Sequence, residues 1–264
     1  MSTTAAPSYV TVTEQPGQAA TRRQLTMMAA RYAWARSFAQ GSDVLEVACG
    51  AGIGLGMLAE VARVVEAGDI DPANLEAARK TYRGLANVHI RELDALDLPY
   101  RDESFDLVLL FEAIYYLADA WRFVREAHRV LKPGGRLLIA TVNCQWRGFN
   151  PSPFSVRYFG AEALRQLLKQ PGFSVDLRVA FPEKRSLRGE FVSMLRRIAV
   201  ALNLLPRTMA GKALLKRVFY GALEPIPGRI DSAGYSFPPS LPVEASADGL
   251  DCYSVLYAAA RKDF

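Results

Sequence analysis

Apolar positions along the chain follow two periods in turn, and that alternation organises the whole sequence. Val44-Leu45-Glu46-Val47 is a short run with the composition of a buried strand, and the segment from Leu55 to Arg63 after it has helical spacing. Val64 to Ala67 and Val88 to Ile90 predict the next two strands. Between them lies a helix from Pro72 to Arg83, opened by a proline whose fixed φ suits a first helical turn. Phe105 to Phe111, apolar but for Asp106, predicts a fourth strand covered on both faces. A helix over Ala120 to Leu131 ends at Pro133-Gly134-Gly135, followed by strands over Arg136 to Val142 and Phe173 to Val179 with a helix from Ala161 to Lys169 between them. Tyr253 to Ala259 is the last strand. At the front, Leu25, Met28, Tyr32 and Ala35 place a helix over Ala19 to Phe38, behind a Ser/Thr/Pro-rich lead, residues 1–17, that reads as flexible. Strands alternating with helices predict an α/β fold, seven strands in a mostly parallel sheet with helices on both faces.

The alternation breaks once, between Phe181 and Leu250. A connection that long normally carries structure of its own. Phe191, Met194, Leu195, Ile198, Leu202 and Leu205 trace one helical face, and Leu214, Leu215, Val218, Phe219 and Ala222 another, with Pro206 between. This predicts a helical cap, residues 181–250, inserted between the last two strands of a single domain over 18–264. Over 181–230 the insertion carries ten Lys and Arg against three Glu. The whole chain has a net charge of only +5, so the rest is slightly acidic.

Three cysteines, none in a C-x-x-C pair, and two histidines, His89 and His128, argue against a disulfide framework and against a zinc site; no metal is expected. Met1 to Pro16 lacks the basic and apolar regions of a signal peptide, and the longest aliphatic runs, such as Ile198 to Leu202, are too short to span a bilayer. A cytoplasmic location is the expectation.

The chemistry concentrates at Glu46-Val47-Ala48-Cys49-Gly50-Ala51-Gly52-Ile53-Gly54, which ends a strand and opens a helix. Glycines there let backbone approach a ligand at the carboxyl end of the sheet. A dinucleotide fingerprint fails, because Leu55 stands where the third glycine of G-x-G-x-x-G would be. Glu46 would repel a pyrophosphate and suits an ammonium group instead.

This run resembles the first motif of the class I S-adenosylmethionine-dependent methyltransferases, an acidic residue followed by G-x-G-x-G, with Ala48 in place of the first glycine. Further matches follow in order: Gly68-Asp69-Ile70-Asp71-Pro72, Asp94-Ala95-Leu96, Ser104-Phe105-Asp106-Leu107-Val108 and Arg129-Val130-Leu131-Lys132-Pro133-Gly134-Gly135. The resemblance spans roughly residues 40 to 180 and implies a Rossmann-like sheet that binds S-adenosylmethionine and releases S-adenosylhomocysteine. It implies that Glu46, Ala48, Cys49, Gly50 and Gly52 line the cofactor, that Asp69 with Ile70 meets the ribose, and that Asp94, Ala95 and Leu96 meet adenine. Phe111 is expected beside them. Arg31 and Tyr32 would bring a cation to the methionyl carboxylate and a ring over the sulfonium, or else be a solvated arginine and a core tyrosine.

Methyl transfer needs acceptor and methyl in line, and a base where the acceptor carries a proton. Glu112, directly after the fourth strand, is the candidate base, with Tyr115 and Tyr116 orienting the acceptor; the alternative is that these groups serve packing and backbone amides. The loop Asn143 to Asn150, continuing to Tyr158, interleaves aromatic and polar groups suited to a ring-bearing or sugar-like acceptor. The expected partner is a small polar or amphipathic molecule, with O-methylation favoured, and not a nucleic acid. The basic helices over 184–217 admit three readings: a grip on an anionic acceptor, a peripheral membrane contact reaching a lipid or quinone, or a solvated lid. A catalytically idle scaffold is the rival from another class.

Overall fold

A computed structural model describes residues 11–183, 222–244 and 249–263. The chain enters through β1 (Ala19–Thr21) and α1 (Arg22–Ala39), then alternates β2 (Asp43–Val47), α2 (Leu55–Ala59), β3 (Val64–Asp69), α3 (Pro72–Tyr82) and β4 (Val88–Glu92). After β5 (Phe105–Phe111) come α4 (Ala120–Val130), β6 (Leu131–Val142), α5 (Ala161–Lys169) and β7 (Phe173–Pro182). Among the described residues beyond β7 are the short β8 (Leu223–Pro225) and β9 (Leu241–Pro242), then β10 (Tyr253–Lys262).

One sheet carries the order β4-β3-β2-β5-β6-β10-β7-β9. The strands from β4 to β6 pair in parallel, while β10 runs antiparallel between β6 and β7. The sheet is therefore mostly parallel, as predicted, and among the described residues it has eight strands where the pattern predicted seven. The extra strand, β9, is a two-residue edge with a proline, and proline is confined to edges because it cannot donate to a ladder. A separate two-stranded ribbon joins β1 to β8.

Strand periodicity distributes side chains to two cores. On β5, Leu107, Leu109 and Phe111 face the core shared with α1 and α2, while Val108 and Leu110 face that of α4 and α5. On β2, Leu45 and Val47 point to the α4 side, which leaves Glu46 on the α1 face. That placement decides its partner below.

Several boundaries differ from the sequence reading for local reasons. Thr21 is the N-cap of α1 in a reciprocal capping box with Gln24, so the helix begins after it and Ala19–Thr21 are free to pair with β8. The Pro133-Gly134-Gly135 turn survives as an irregularity inside β6, where pairing to β5 jumps from Phe105↔Leu131 to Leu107↔Arg136. The lead, expected to be flexible, is tied down over its described residues 11–17. Gly17 N donates to Ile226 O at 2.8 Å, and the Gln15 amide donates to Asn74 at 2.6 Å. The basic helices over 184–217 lie outside the described residues. The described end of the cap is extended, with Leu223 in β8 directly after the predicted helical face that ends at Ala222.

Candidate active site

The carboxyl ends of β2, β3, β4 and β5 open onto one cleft of about 660 Å³. Its wall includes Tyr32, Glu46, Ala48, Cys49, Gly50, Asp69, Ile70, Asp94, Ala95, Leu96, Phe111, Glu112 and Tyr115, so the sequence motifs converge on one place. Gly52 is not among them. Its φ of +70° and the crowding of Leu55, Ala78 and Tyr82 around it make it a turn and packing glycine.

The turn after β2 is bent on left-handed residues. Ala48 has φ +54° and Gly50 φ +57°, and a non-glycine residue there costs about 1–2 kcal/mol. Ala48 accepts that strain where the motif usually has glycine. Gly50 N donates to Asp69 Oδ2 at 2.8 Å, which joins the β2 turn to the end of β3. Asp69 Oδ1 accepts from Asp71 N at 2.8 Å and from Asn74 Nδ2 at 3.3 Å. A carboxylate offers about four acceptor positions, so three are taken and both ribose hydroxyls do not fit on Asp69 without displacing Asn74. Asp94 Oδ1 accepts from Leu96 N at 2.8 Å, and the Asp94 side chain stands exposed at the cleft rim beside Ile70, which is 52% exposed.

Glu46, 1% exposed, receives the Tyr32 hydroxyl on Oε1 at 2.6 Å, and its Oε2 has no partner. Burial lifts its pKa to about 7 against the opposing pull of Tyr32 and Arg31. Tyr32 is thus a support for Glu46, with its ring edge-on to Phe111 at 5.4 Å. Its ring also fills the space beside Gly54. Tyr32 is buried with its hydroxyl committed to Glu46, and it is also part of the cleft wall. Arg31 is not solvated: it is 7% exposed, and its guanidinium meets the Glu14 carboxylate through both terminal nitrogens, leaving Nε unpartnered. Although burial opposes its charge, Glu14 holds its pKa above the ordinary value.

Glu112, at φ +52°, donates its backbone N–H to Ala140 O at 2.8 Å and lines the cleft. Burial raises its carboxyl pKa to about 7, with Arg31 opposing and Glu14 adding to the rise. The Tyr115 hydroxyl donates to it at 3.2 Å. Tyr115 stacks on Tyr158 at 4.7 Å, Phe149 meets Tyr158 edge-on at 4.6 Å, and Tyr116 shares a hydrogen bond with Ser152. The loop after β6 thus supports the cleft wall from behind. Asn143, in contrast, is fully buried and bonded to Leu250 O and Tyr253 O, so it holds the loop rather than an acceptor. Burial raises the Cys49 thiol pKa, which suits a filler. His128 packs edge-on against Phe173, away from the cleft. Among the described residues, no group of three or more His, Cys, Asp and Glu side chains could hold a metal ion, and no helix is long and apolar enough to cross a membrane.

The wall also contains residues that the sequence reading did not assign to the site. Thr11 to Glu14, Gln24, Met27, Met28, Leu117, Val142 and Ile226 all contribute. Residues 11–14 have no periodicity to mark them. Gln24 was detectable as the third residue of the Thr21 capping box.

Residues 45–139 match the model of a methyltransferase domain. A Mycolicibacterium smegmatis protein named "Probable S-adenosylmethionine-dependent methyltransferase" is 39% identical over 140 residues, 52% of this chain and 53% of that protein. The O-methyltransferase cnsE of Penicillium expansum is 33% identical over 149 residues, 52% of this chain and 54% of that one. The chain thus spans about half the length of the relatives it matches. Among solved structures, the [4+2]-cyclase SpnF superposes with a TM-score of 0.58 at 22% identity, over 95% of this chain and 86% of that one, a likeness of fold.

Proposed function

Because the chain belongs to the class I S-adenosylmethionine-dependent methyltransferase family, we propose that it methylates a hydroxyl of a small amphipathic acceptor. The observation that carries the cofactor half of this reading is a complementary pair of unpartnered buried atoms on two residues of the cleft wall, Glu46 Oε2 and Arg31 Nε. An acceptor oxygen and a cationic donor are what an amino acid's ammonium and carboxylate require, and unpaired buried polar atoms are costly unless a ligand meets them. Asp69 would take a ribose hydroxyl, Asp94 the adenine amino group, and Ile70 the face of the base.

When bound, S-adenosylmethionine supplies a methyl group activated by a sulfonium. The chain's own residues bring the acceptor to it, keep water out and take a proton. Glu112 is suited to taking that proton, because a carboxyl with a pKa of about 7 is half ionised at neutral pH and accepts a hydroxyl proton with useful driving force. Tyr115 orients it. Tyr115, Tyr116, Met27, Met28 and Val142 line the cleft as an aromatic and apolar wall for the acceptor's body. The fungal relative's name, O-methyltransferase, supports the choice of atom. The scaffold alternative draws on SpnF, a cyclase on the same fold, which shows that the fold alone does not dictate methyl transfer.

The test supplies methyl-labelled cofactor with phenol, glycoside and quinol acceptors. Label should appear on oxygen, with turnover rising as pH passes about 7 and Glu112 ionises. Glu112→Gln should lower turnover about 10²- to 10⁴-fold while S-adenosylhomocysteine still binds. Full turnover in that variant removes Glu112 as the base. Cofactor binding without label on any acceptor favours the scaffold.

A further inference from the structure

The cation that this reading assigns to the cofactor's carboxylate is already engaged by the chain itself. Glu14 sits in the strap of residues 11–14 that forms one wall of the cleft, and its carboxylate spans both terminal nitrogens of Arg31. The two partners differ in freedom. The Arg31 side chain is 8% exposed and fixed on α1, whereas the Glu14 side chain is 33% exposed on a segment outside any helix or strand. A second contact of the same strap points the same way. The Thr13 methyl occupies the place beside Gly50 where a side chain would stand, 2.7 Å from the position of a built Cβ. Strap residues therefore occupy space at two points of the cofactor wall, one of them with a carboxylate.

We propose that Glu14 is a built-in competitor for the carboxylate subsite at Arg31, so that the amino-acid end of the cofactor is held only when the strap yields that position. The inference rests on the cofactor assignment given above. Its physical basis is that a buried guanidinium must always have an anionic partner, since leaving it unpaired costs more than the pair itself contributes. Exchange of one carboxylate for another keeps Arg31 paired throughout, so the strap can leave without exposing an orphaned charge. Arg31 Nε, which Glu14 leaves without a partner, is a further donor for the incoming carboxylate once the strap yields. Among the described residues, other ties near this point include the Gln15 amide to Asn74, the Asn74 amide to Thr13 at 3.4 Å, and Gly17 N to Ile226 O.

Two ligands separate this from an ordinary lid. S-adenosylhomocysteine carries the amino-acid tail, and 5′-methylthioadenosine is the same nucleoside thioether without it. Each is titrated calorimetrically into the full chain and into Glu14→Gln. Removing the competitor should tighten S-adenosylhomocysteine roughly tenfold, because apparent affinity is the intrinsic affinity multiplied by the fraction of open protein, and should leave 5′-methylthioadenosine within about twofold. The ligand-free variant should melt lower than the wild type, and S-adenosylhomocysteine should restore it. Glu14→Asp, which keeps the charge on a shorter arm, should fall between. Weaker binding of both ligands by Glu14→Gln makes the strap a lid that grips the nucleoside and overturns the proposal. Unchanged binding of S-adenosylhomocysteine overturns it as well. Failure of the wild type and the variant to bind either ligand fails the cofactor assignment itself, a result distinct from both.

Discussion

Gly54 has no room for a Cβ, because one built there collides with the Tyr32 ring. That glycine lets Tyr32 lie flat against the start of α2, and Tyr32 in turn fixes Glu46. Gly54→Ala should therefore cost about 1–3 kcal/mol by overpacking and weaken S-adenosylhomocysteine binding as Tyr32 and Glu46 shift. Thermal melting and calorimetry check it, and a variant that melts and binds like the wild type removes Tyr32 from its supporting role. The carboxylates Glu46, Asp69, Asp94 and Glu112 were legible in the sequence, because each lies at or just after the end of a parallel strand, where side chains reach the ligand end of the sheet. What each carboxylate meets was not legible. The Asp69 oxygens are largely taken by Gly50, Asp71 and Asn74, and Tyr32 turns its hydroxyl to Glu46, because partners across a face are set by tertiary packing.

At the scale of elements, the long apolar strands and the amphipathic α3, α4 and α5 were readable from periodicity, and β5 and α5 fall on the expected residues. The short elements were not. Ala19-Ala20-Thr21 and Leu241-Pro242 hold too few residues to show a period, and they become strands only because β8 and β7 lie alongside. Thr21 ends one element and caps the next: its hydroxyl accepts from Gln24 N at 3.2 Å, and the Gln24 side chain accepts from Thr21 N at 2.9 Å. Thr21→Ala should cost about 1 kcal/mol of stability. In a chain this size that is a fall of roughly 2–4 °C in melting temperature. An unchanged melting temperature would mean that the β1–β8 pairing, not the cap, fixes the start of α1.

For the molecule as a whole, two carboxyls with raised pKa values make stability pH-dependent in a defined direction. Glu46 and Glu112 both move from 4.5 to about 7 on folding. Between those values the folded chain binds more protons than the unfolded one, so stability falls as pH rises through the window and levels off above it. Among the described residues, His128, lowered by burial from 6.5, acts with the opposite sign across this window, and Asp106, Glu126 and Glu162, held below their ordinary values, do so mainly at more acid pH. The ligand-free protein should lose melting temperature from about pH 5 to 7.5. S-adenosylhomocysteine should flatten the decline by giving Glu46 a cationic partner. A melting temperature that climbs across this range would show that neither carboxyl is protonated in the folded state.

The proposed function depends on the cleft at the ends of β2 to β5 holding the cofactor by these side chains. Calorimetric titration of S-adenosylhomocysteine into the wild type and Asp69→Ala probes that dependence without any acceptor. Saturable binding to one site is expected, weakened by about 1.5–3 kcal/mol in the variant, the range for hydrogen bonds to a charged group. No binding to the wild type, or equal affinity in both proteins, would contradict it.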